Sequence, residues 1–411
     1  MGDKDVPFTA EWAENIRYRT DPNRVEQAQV TRYVPSENQP LAKGAPPGLS
    51  TKTRSTSSDP SAQAPTPALS RSTGRGGEGS YYDISMLKAP VWKWEIAWYF
   101  FLGGLSAGAY VISRMAFRHG KEECPDVCRT GARVALLAFL PCPPLLIHDL
   151  GDPKRFHHMM RVWKPTTPMN LGTWSILGYS GMVTFEVLRK YLEEHEREHG
   201  PGLRRHLFRL MDHPLPLLVH DALGVPFALL VAGYTGVLLS CTSNPLWSKN
   251  LWLGPLFSAS AIGTGAAATS LAIDLTGGAE DSHSQRVLEK IDTAAHIAEV
   301  ACMAGFLKQA GEKAQPLTKG KHRKHMMVAA GCLAGAEVIR HLPLQGRAKK
   351  LARMTSSLLT LGSGFALRWA MVQAGHDAAN DPRLARIASR PQTQSAQRRQ
   401  VQSTNKARPN G

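Results

Sequence analysis

The residues best suited to chemistry lie together at positions 145–181, LLIHDLGDPKRFHHMMRVWKPTTPMNLGTWSILGYSG. An apolar run ends on His148 and Asp149, a Gly-Asp-Pro turn follows, and Arg155, His157 and His158 come next. Pro153 and Pro168 stand where a helix stops and the next one starts. Ionisable groups at the end of a membrane helix sit at headgroup depth, where Asp149 and Arg155 can pair without full burial. Two readings follow. One is a helix-terminal ion pair and turn. The other is a proton-exchanging polar mouth for an amphipathic substrate. A quinone suits such a mouth, because its apolar tail needs access from lipid and each carbonyl needs a donor that becomes a proton source on reduction.

A second set of ionisable residues is set in apolar surroundings: Asp274, His296, Glu299, Glu337 and Arg368. His296 and Glu299 are three apart and share a helix face. In a bundle such groups are either structural ion pairs or a proton relay. His220 and Asp221 could belong to this set or to the first. Cys124 and Cys128, with His119 nearby, give two sulfurs and one imidazole, an incomplete metal site, so no metal site is expected.

The elements that position these residues are apolar runs of roughly the 20 residues a bilayer-spanning helix needs. Eight are expected: Trp94 to Met115, Gly131 to Leu150, Asn170 to Leu188, Leu215 to Thr242, Leu251 to Leu275, Asp292 to Leu307, His325 to Ile339 and Leu351 to Val372. The segments with Glu299 and Glu337 must turn those carboxylates inward, since a bare charge in lipid costs several kcal/mol. Gly103, Gly104, Ala107 and Gly108 in the first run, and SASAIGTGAAATSLA in the fifth, are small-residue patterns that let helix backbones approach closely.

The 411 residues carry 49 Lys+Arg against 33 Asp+Glu, a net charge of +16, and the mean hydropathy is only -0.24. That average hides segregation. Residues 1–88, with the Ser/Pro/Gly-rich STSSDPSAQAPTPALSRSTGRGGEGS, and the basic residues 376–411 read as disordered tails around a helical domain at 89–375. No signal-peptide apolar region follows Met1. The basic residues outside the tails fall in loops and helix ends, where anionic headgroups attract them. Membrane lipid is therefore the expected partner of that charge, and nucleic acid is not. Both sets of loops are basic, so the positive-inside bias leaves orientation open.

Four stretches, in order, resemble the polysulfide reductase / NrfD family of membrane subunits: WKWEIAWYFFLGGLSAGAY (Trp92 to Tyr110), HDLGDPKRFHHMMRVWKPTTPMNLGTW (His148 to Trp174), YTGVLLSCTSNPLW (Tyr234 to Trp247) and LRWAMVQAGHDAANDP (Leu367 to Pro382). The resemblance implies an all-α polytopic fold of eight transmembrane helices in two four-helix groups. It implies a subunit of a respiratory oxidoreductase in a bacterial-type plasma membrane, exchanging electrons with menaquinone or ubiquinone. Its partner would be an iron-sulfur electron-transfer subunit, with molybdopterin or cytochrome subunits alongside. No haem or cluster is expected in the chain itself, which has no ferredoxin-type cysteine run and no Cys-x2-Cys-His. Glu95 corresponds to the point where the family's first helix enters the membrane, and is the expected proton acceptor together with Asp149. His148 stands where the family more often has a small or apolar residue. Trp94, Tyr99 and Trp174 are candidates to stack on a quinone ring. Competing expectations are a transporter or ion channel without redox coupling, and a passive membrane anchor.

Overall fold

The computed structural model describes residues 87–88, 90–120, 123–199, 203–277 and 283–389. Of the tails expected at 1–88 and 376–411, residues 1–86 and 390–411 lie outside the described residues. Those described form twelve α-helices joined by short turns. They are α1 Trp94–Gly120, α2 Pro125–Phe139, α3 Cys142–Asp149, α4 Pro168–His199, α5 Leu203–Met211 and α6 Pro214–Ser240, followed by α7 Leu253–Leu275, α8 His283–Ala310, α9 Gln315–Thr318, α10 Arg323–Arg340, α11 Gly346–Asn380 and α12 Pro382–Ser389. A 3₁₀ turn, Pro153–Met160, connects α3 to α4.

Among the described residues, four helical stretches are long and apolar enough to cross a membrane: Trp94–Arg118, Pro125–Asp149, Pro214–Ser240 and Leu253–Leu275. The remaining expected segments are also helical, within α4, α8, α10 and α11, but do not reach that combination of length and apolar character. The second stretch is interrupted where Pro141, Pro143 and Pro144 remove amide donors, so α2 gives way to α3. Helix persists beyond residue 375, the expected end of the helical domain. There α11 continues to Asn380 and α12 follows, with Leu384 and Ala385 buried.

Helices α1 and α7 form the centre. α1 packs on α2, α3, α6, α7 and α11, and α7 on α1, α2, α6, α8 and α11. Their glycines explain the closeness of the crossing. A Cβ on Gly108 would overlap the Ala261 carbonyl, and one on Gly265 would overlap the backbone of Gly108 and Ala109. In lipid, where burying apolar surface brings helices no hydrophobic gain, this backbone approach and its dispersion contacts hold the pair.

A second junction unites three of the quoted stretches. The Trp247 indole is fully buried over Gly375, where any Cβ would collide with it, and donates from Nε1 to Met371 O at 3.2 Å. Asn244 Nδ2 donates to Gly375 O at 2.8 Å. Trp92 stacks on Trp247 with centroids 5.6 Å apart, and its carbonyl accepts from His376 Nε2 at 2.7 Å. The segments before α1, after α6 and at the end of α11 are thereby pinned beside the site described next.

Candidate functional site

The start of α1, the end of α3, the 3₁₀ turn and the start of α4 line a half-open cavity of about 280 Å³. Its walls are mainly apolar: Ile96 and Phe100 from α1, Leu146 and Ile147 from α3, Met159 and Met160 from the turn, Ile176 from α4. Trp92 and Tyr234 close it from two further sides. Tyr234 is fixed by donating its hydroxyl to Pro168 O, with its ring against Gly172, where a Cβ would overlap it. Gly172 thus has a specific use: it lets an aromatic wall approach the α4 backbone.

Polar groups here are few. Tyr99 and Asp149 line the cavity. The Tyr99 hydroxyl is buried and has no hydrogen-bond partner among the described residues. Glu95 is one turn before Tyr99 on the same helix face; it is 3% exposed. His148 Nδ1 and Glu95 Oε1 are hydrogen-bonded at 3.0 Å, whereas Oε2 is buried without a partner among the described residues. The His148 side chain is 72% exposed. The buried Glu95 carboxylate therefore lies between Tyr99, which lines the apolar cavity, and an imidazole in contact with the surroundings.

Of the residues expected at this mouth, Tyr99 and Asp149 line the cavity, whereas Glu95 and His148 meet each other next to it without being among its lining residues. Two expectations are corrected. Arg155 does not pair with Asp149; its Nε meets Asp152 Oδ2 at 3.1 Å, because the tight 3₁₀ turn puts residues three apart side by side, and it is exposed. Trp174 is not among the residues lining this cavity. The helical period turns Gly172, Thr173, Ile176 and Ser180 toward the cavity and places Trp174 on the adjoining face, edge-on to Trp163 at 5.6 Å. Trp94 is half exposed, with its ring 6.5 Å from that of His148. Sequence reasoning missed Trp92, Tyr234 and the methionines of the turn. A signal existed for Tyr234, since it opens one of the quoted stretches.

A family model for NrfD, polysulphide reductase, matches residues 83–377. The chain belongs to the NrfD polysulphide reductase family. It is similar to the polysulfide reductase C subunit of Wolinella succinogenes, 33% identical over 190 residues that make up 44% of this chain and 58% of that one. It is also similar to the protein NrfD homolog of Haemophilus influenzae, 26% identical over 226 residues, 53% of this chain and 70% of that one. The match to the Wolinella protein thus spans less than two thirds of its length.

In this NrfD protein the second polar set resolves into three pairings between α7, α8, α10 and α11. Asp274 accepts twice from Arg353, Nε to Oδ2 at 2.9 Å and Nη2 to Oδ1 at 2.6 Å, with Gln285 Nε2 donating at 3.2 Å. His296 lies between Glu337, Nδ1 to Oε1 at 2.5 Å, and Asp292, Nε2 to Oδ1 at 3.2 Å. Arg340 joins both carboxylates, at 2.7 Å to Glu337 and in a close pair with Asp292. Arg368 is fully buried and donates to Phe100 O, Ser260 Oγ and Gly364 O, each at 2.9 Å, near Glu299. The sequence points to the acids but not to Arg340 and Arg353, which neutralise them. His220 and Asp221 belong to neither set. They lie in a third cluster, where His220 Nε2 is 2.9 Å from the Tyr110 hydroxyl, Asp221 pairs closely with Arg114, and Glu186 meets Arg114 at 2.8 Å and Lys190 at 2.9 Å.

Proposed function

We propose that this protein is the quinone-interacting membrane subunit of a respiratory oxidoreductase, crossing a bacterial-type plasma membrane eight times in two groups of four helices. In this reading it passes electrons between membrane quinone and an iron-sulfur partner subunit, with molybdopterin or cytochrome subunits as further members of the complex. The observation that carries it is the apolar cavity with an unpartnered buried Tyr99 hydroxyl, beside a carboxylate with one bare buried oxygen. Such groups are costly when nothing meets them, and a flat apolar quinol ring suits their type, with one oxygen to accept from the Tyr99 hydroxyl and one hydroxyl to donate toward a carboxylate. The name of the Wolinella relative, one lettered subunit of a polysulfide reductase, supports a multi-subunit assignment.

When bound, a quinol supplies two electrons and two protons on oxidation. The protein's own residues handle the protons. Tyr99 orients one ring oxygen through its hydroxyl. Glu95, held by His148 through Oε1, takes a proton on Oε2. His148, in its Nε2–H tautomer, accepts a proton from the Glu95 carboxyl at Nδ1 and releases one from Nε2 at the exposed face. Asp149 lines the same cavity at the end of α3 and offers a second carboxylate. Apolar walls keep water from the ring, so protons travel by side chains.

A second part of the reading is a proton path along α8 and α11. Arg353, Ser356, Thr360 and Arg368 recur at helical spacing on α11: Arg353 pairs with Asp274 of α7, Ser356 meets Arg340 of α10, Thr360 meets Asp292 and His296 of α8, and Arg368 lies near Glu299 of α8. The ladder runs from Asp274 and Arg353, through His296 and Glu337, to Glu299 and Arg368. There Arg368 binds the carbonyl of Phe100, whose side chain lines the cavity.

Purification of the protein from its native membranes tests the assignment. An iron chromophore should copurify and be reduced by added naphthoquinol. A protein that arrives alone and carries ion flux in proteoliposomes would overturn it.

A further inference from the structure

Beside the cavity, α4, α6 and the segment before α4 form a second hollow, an apolar groove of about 520 Å³. Trp163 and Trp174 stand at one end and Leu171, Gly178, Phe227 and Leu230 line the rest. Leu177 lines both the groove and the cavity. The two hollows therefore meet along α4, with Thr173, Ile176 and Ser180 on one side of Leu177 and Leu171, Trp174 and Gly178 on the other. Gly178 deepens the groove. It has no side chain there, and the Phe227 ring lies so close that a Cβ would be 2.6 Å from it. The polar edge of Trp174 is already satisfied, its Nε1 donating to Val162 O at 3.4 Å, so the indole contributes only apolar surface. Leu177 and Leu230 are 43% and 44% exposed, which opens the groove toward the surroundings of the bundle.

We propose that this groove holds the first isoprenoid units of the quinone tail, with the ring in the adjoining cavity. The inference rests on the quinone reading of the cavity and extends it to the tail. The size of the cavity argues for it. At about 280 Å³ the cavity is at the small end of pockets that enclose whole ligands, roughly 300 to 1,000 Å³, so a chain of many isoprene units must leave it. The route over Leu177 leads directly into an apolar channel that opens toward lipid. Trp163 and Trp174, which contribute nothing to the ring cavity, acquire a use as walls for the tail.

Photolabelling of the intact complex in nanodiscs tests this. Two naphthoquinones are compared, one with a diazirine on the ring and one with it on the second isoprene unit, and adducts are mapped by mass spectrometry. The ring label should fall on cavity segments around Tyr99, Met159 or Tyr234. The tail label should fall on Trp163, Trp174 or Leu230 and be competed by unlabelled quinone. Leu230→Trp, which fills the groove from a half-exposed position, should lower tail labelling there about fivefold, the weight of one aromatic contact, and leave ring labelling in place. Ring adducts in the cavity with tail adducts on other helices would overturn the tail site alone. So would a groove labelled equally by a photoreactive phospholipid and not competed by quinone. Ring adducts outside the cavity would overturn the quinone reading and the tail site with it.

Discussion

Replacing Glu95 by Gln keeps the shape of the side chain and its contact with His148 but removes its capacity to hold a proton. Positioned proton transfer contributes roughly 10² to 10⁴ in rate. Glu95→Gln should fall near the lower end, because Asp149 lines the same cavity and provides a second carboxylate. The expected loss is about 100-fold in quinol turnover, equivalent to about 2.7 kcal/mol of barrier. The KM for quinol should change little, since the walls that hold the ring are untouched. The assay is oxidation of a short-tailed naphthoquinol by the intact complex in native membranes, followed by absorbance and normalised to the amount of assembled protein. His148→Ala should slow the same reaction less, and added imidazole should restore part of it, because the ring it replaces is 72% exposed. Asp149→Asn combined with Glu95→Gln should abolish turnover. Full turnover in Glu95→Gln and in Asp149→Asn, with normal assembly, would refute the assignment of this cluster as the proton outlet.

Three other outcomes are expected. Gly265→Val should prevent stable assembly, since its Cβ meets the α1 backbone rather than a movable side chain; a cost above the roughly 1–3 kcal/mol of ordinary overpacking should appear as loss of the monodisperse peak in detergent. Arg353→Ala should cost about 3–5 kcal/mol by leaving Asp274 buried and uncompensated. The paired change Arg353→Met with Asp274→Leu should recover most of that loss in thermal unfolding. Glu337→Gln should leave quinol turnover within about twofold but abolish any turnover-linked proton movement in proteoliposomes, as a break in a side-chain relay requires; unchanged proton movement would remove the α8–α11 ladder from that role.

The sequence by itself determined the helical character of the protein, the place of its long helices and the stretch that forms the mouth. Those features are local: apolar runs, Pro at helix starts, and small residues repeated along one face leave a one-dimensional signature. The positions of Gly104 and Gly108 in α1 and of Gly265 in α7 were legible for the same reason, although which helix met which was not. Tertiary structure alone decided how the polar groups pair. Asp149 and Arg155 are six residues apart and look like partners in the sequence, yet the 3₁₀ turn gives Arg155 to Asp152 and leaves Asp149 at the cavity. Glu95 and His148, 53 residues apart, share a hydrogen bond because α1 begins beside the end of α3. Arg340 ends α10 and Arg353 lies two turns into α11, and nothing local in the sequence marks their partners, which are the inward-facing Asp292 and Asp274. Trp174 suggests a ring contact in the sequence because aromatic residues mark both ligand sites and membrane interfaces. A single helical step, about 100° between neighbours, separates the face that meets the cavity from the face that meets the groove, and only the orientation of α4 against α1 and α6 fixes which face is which.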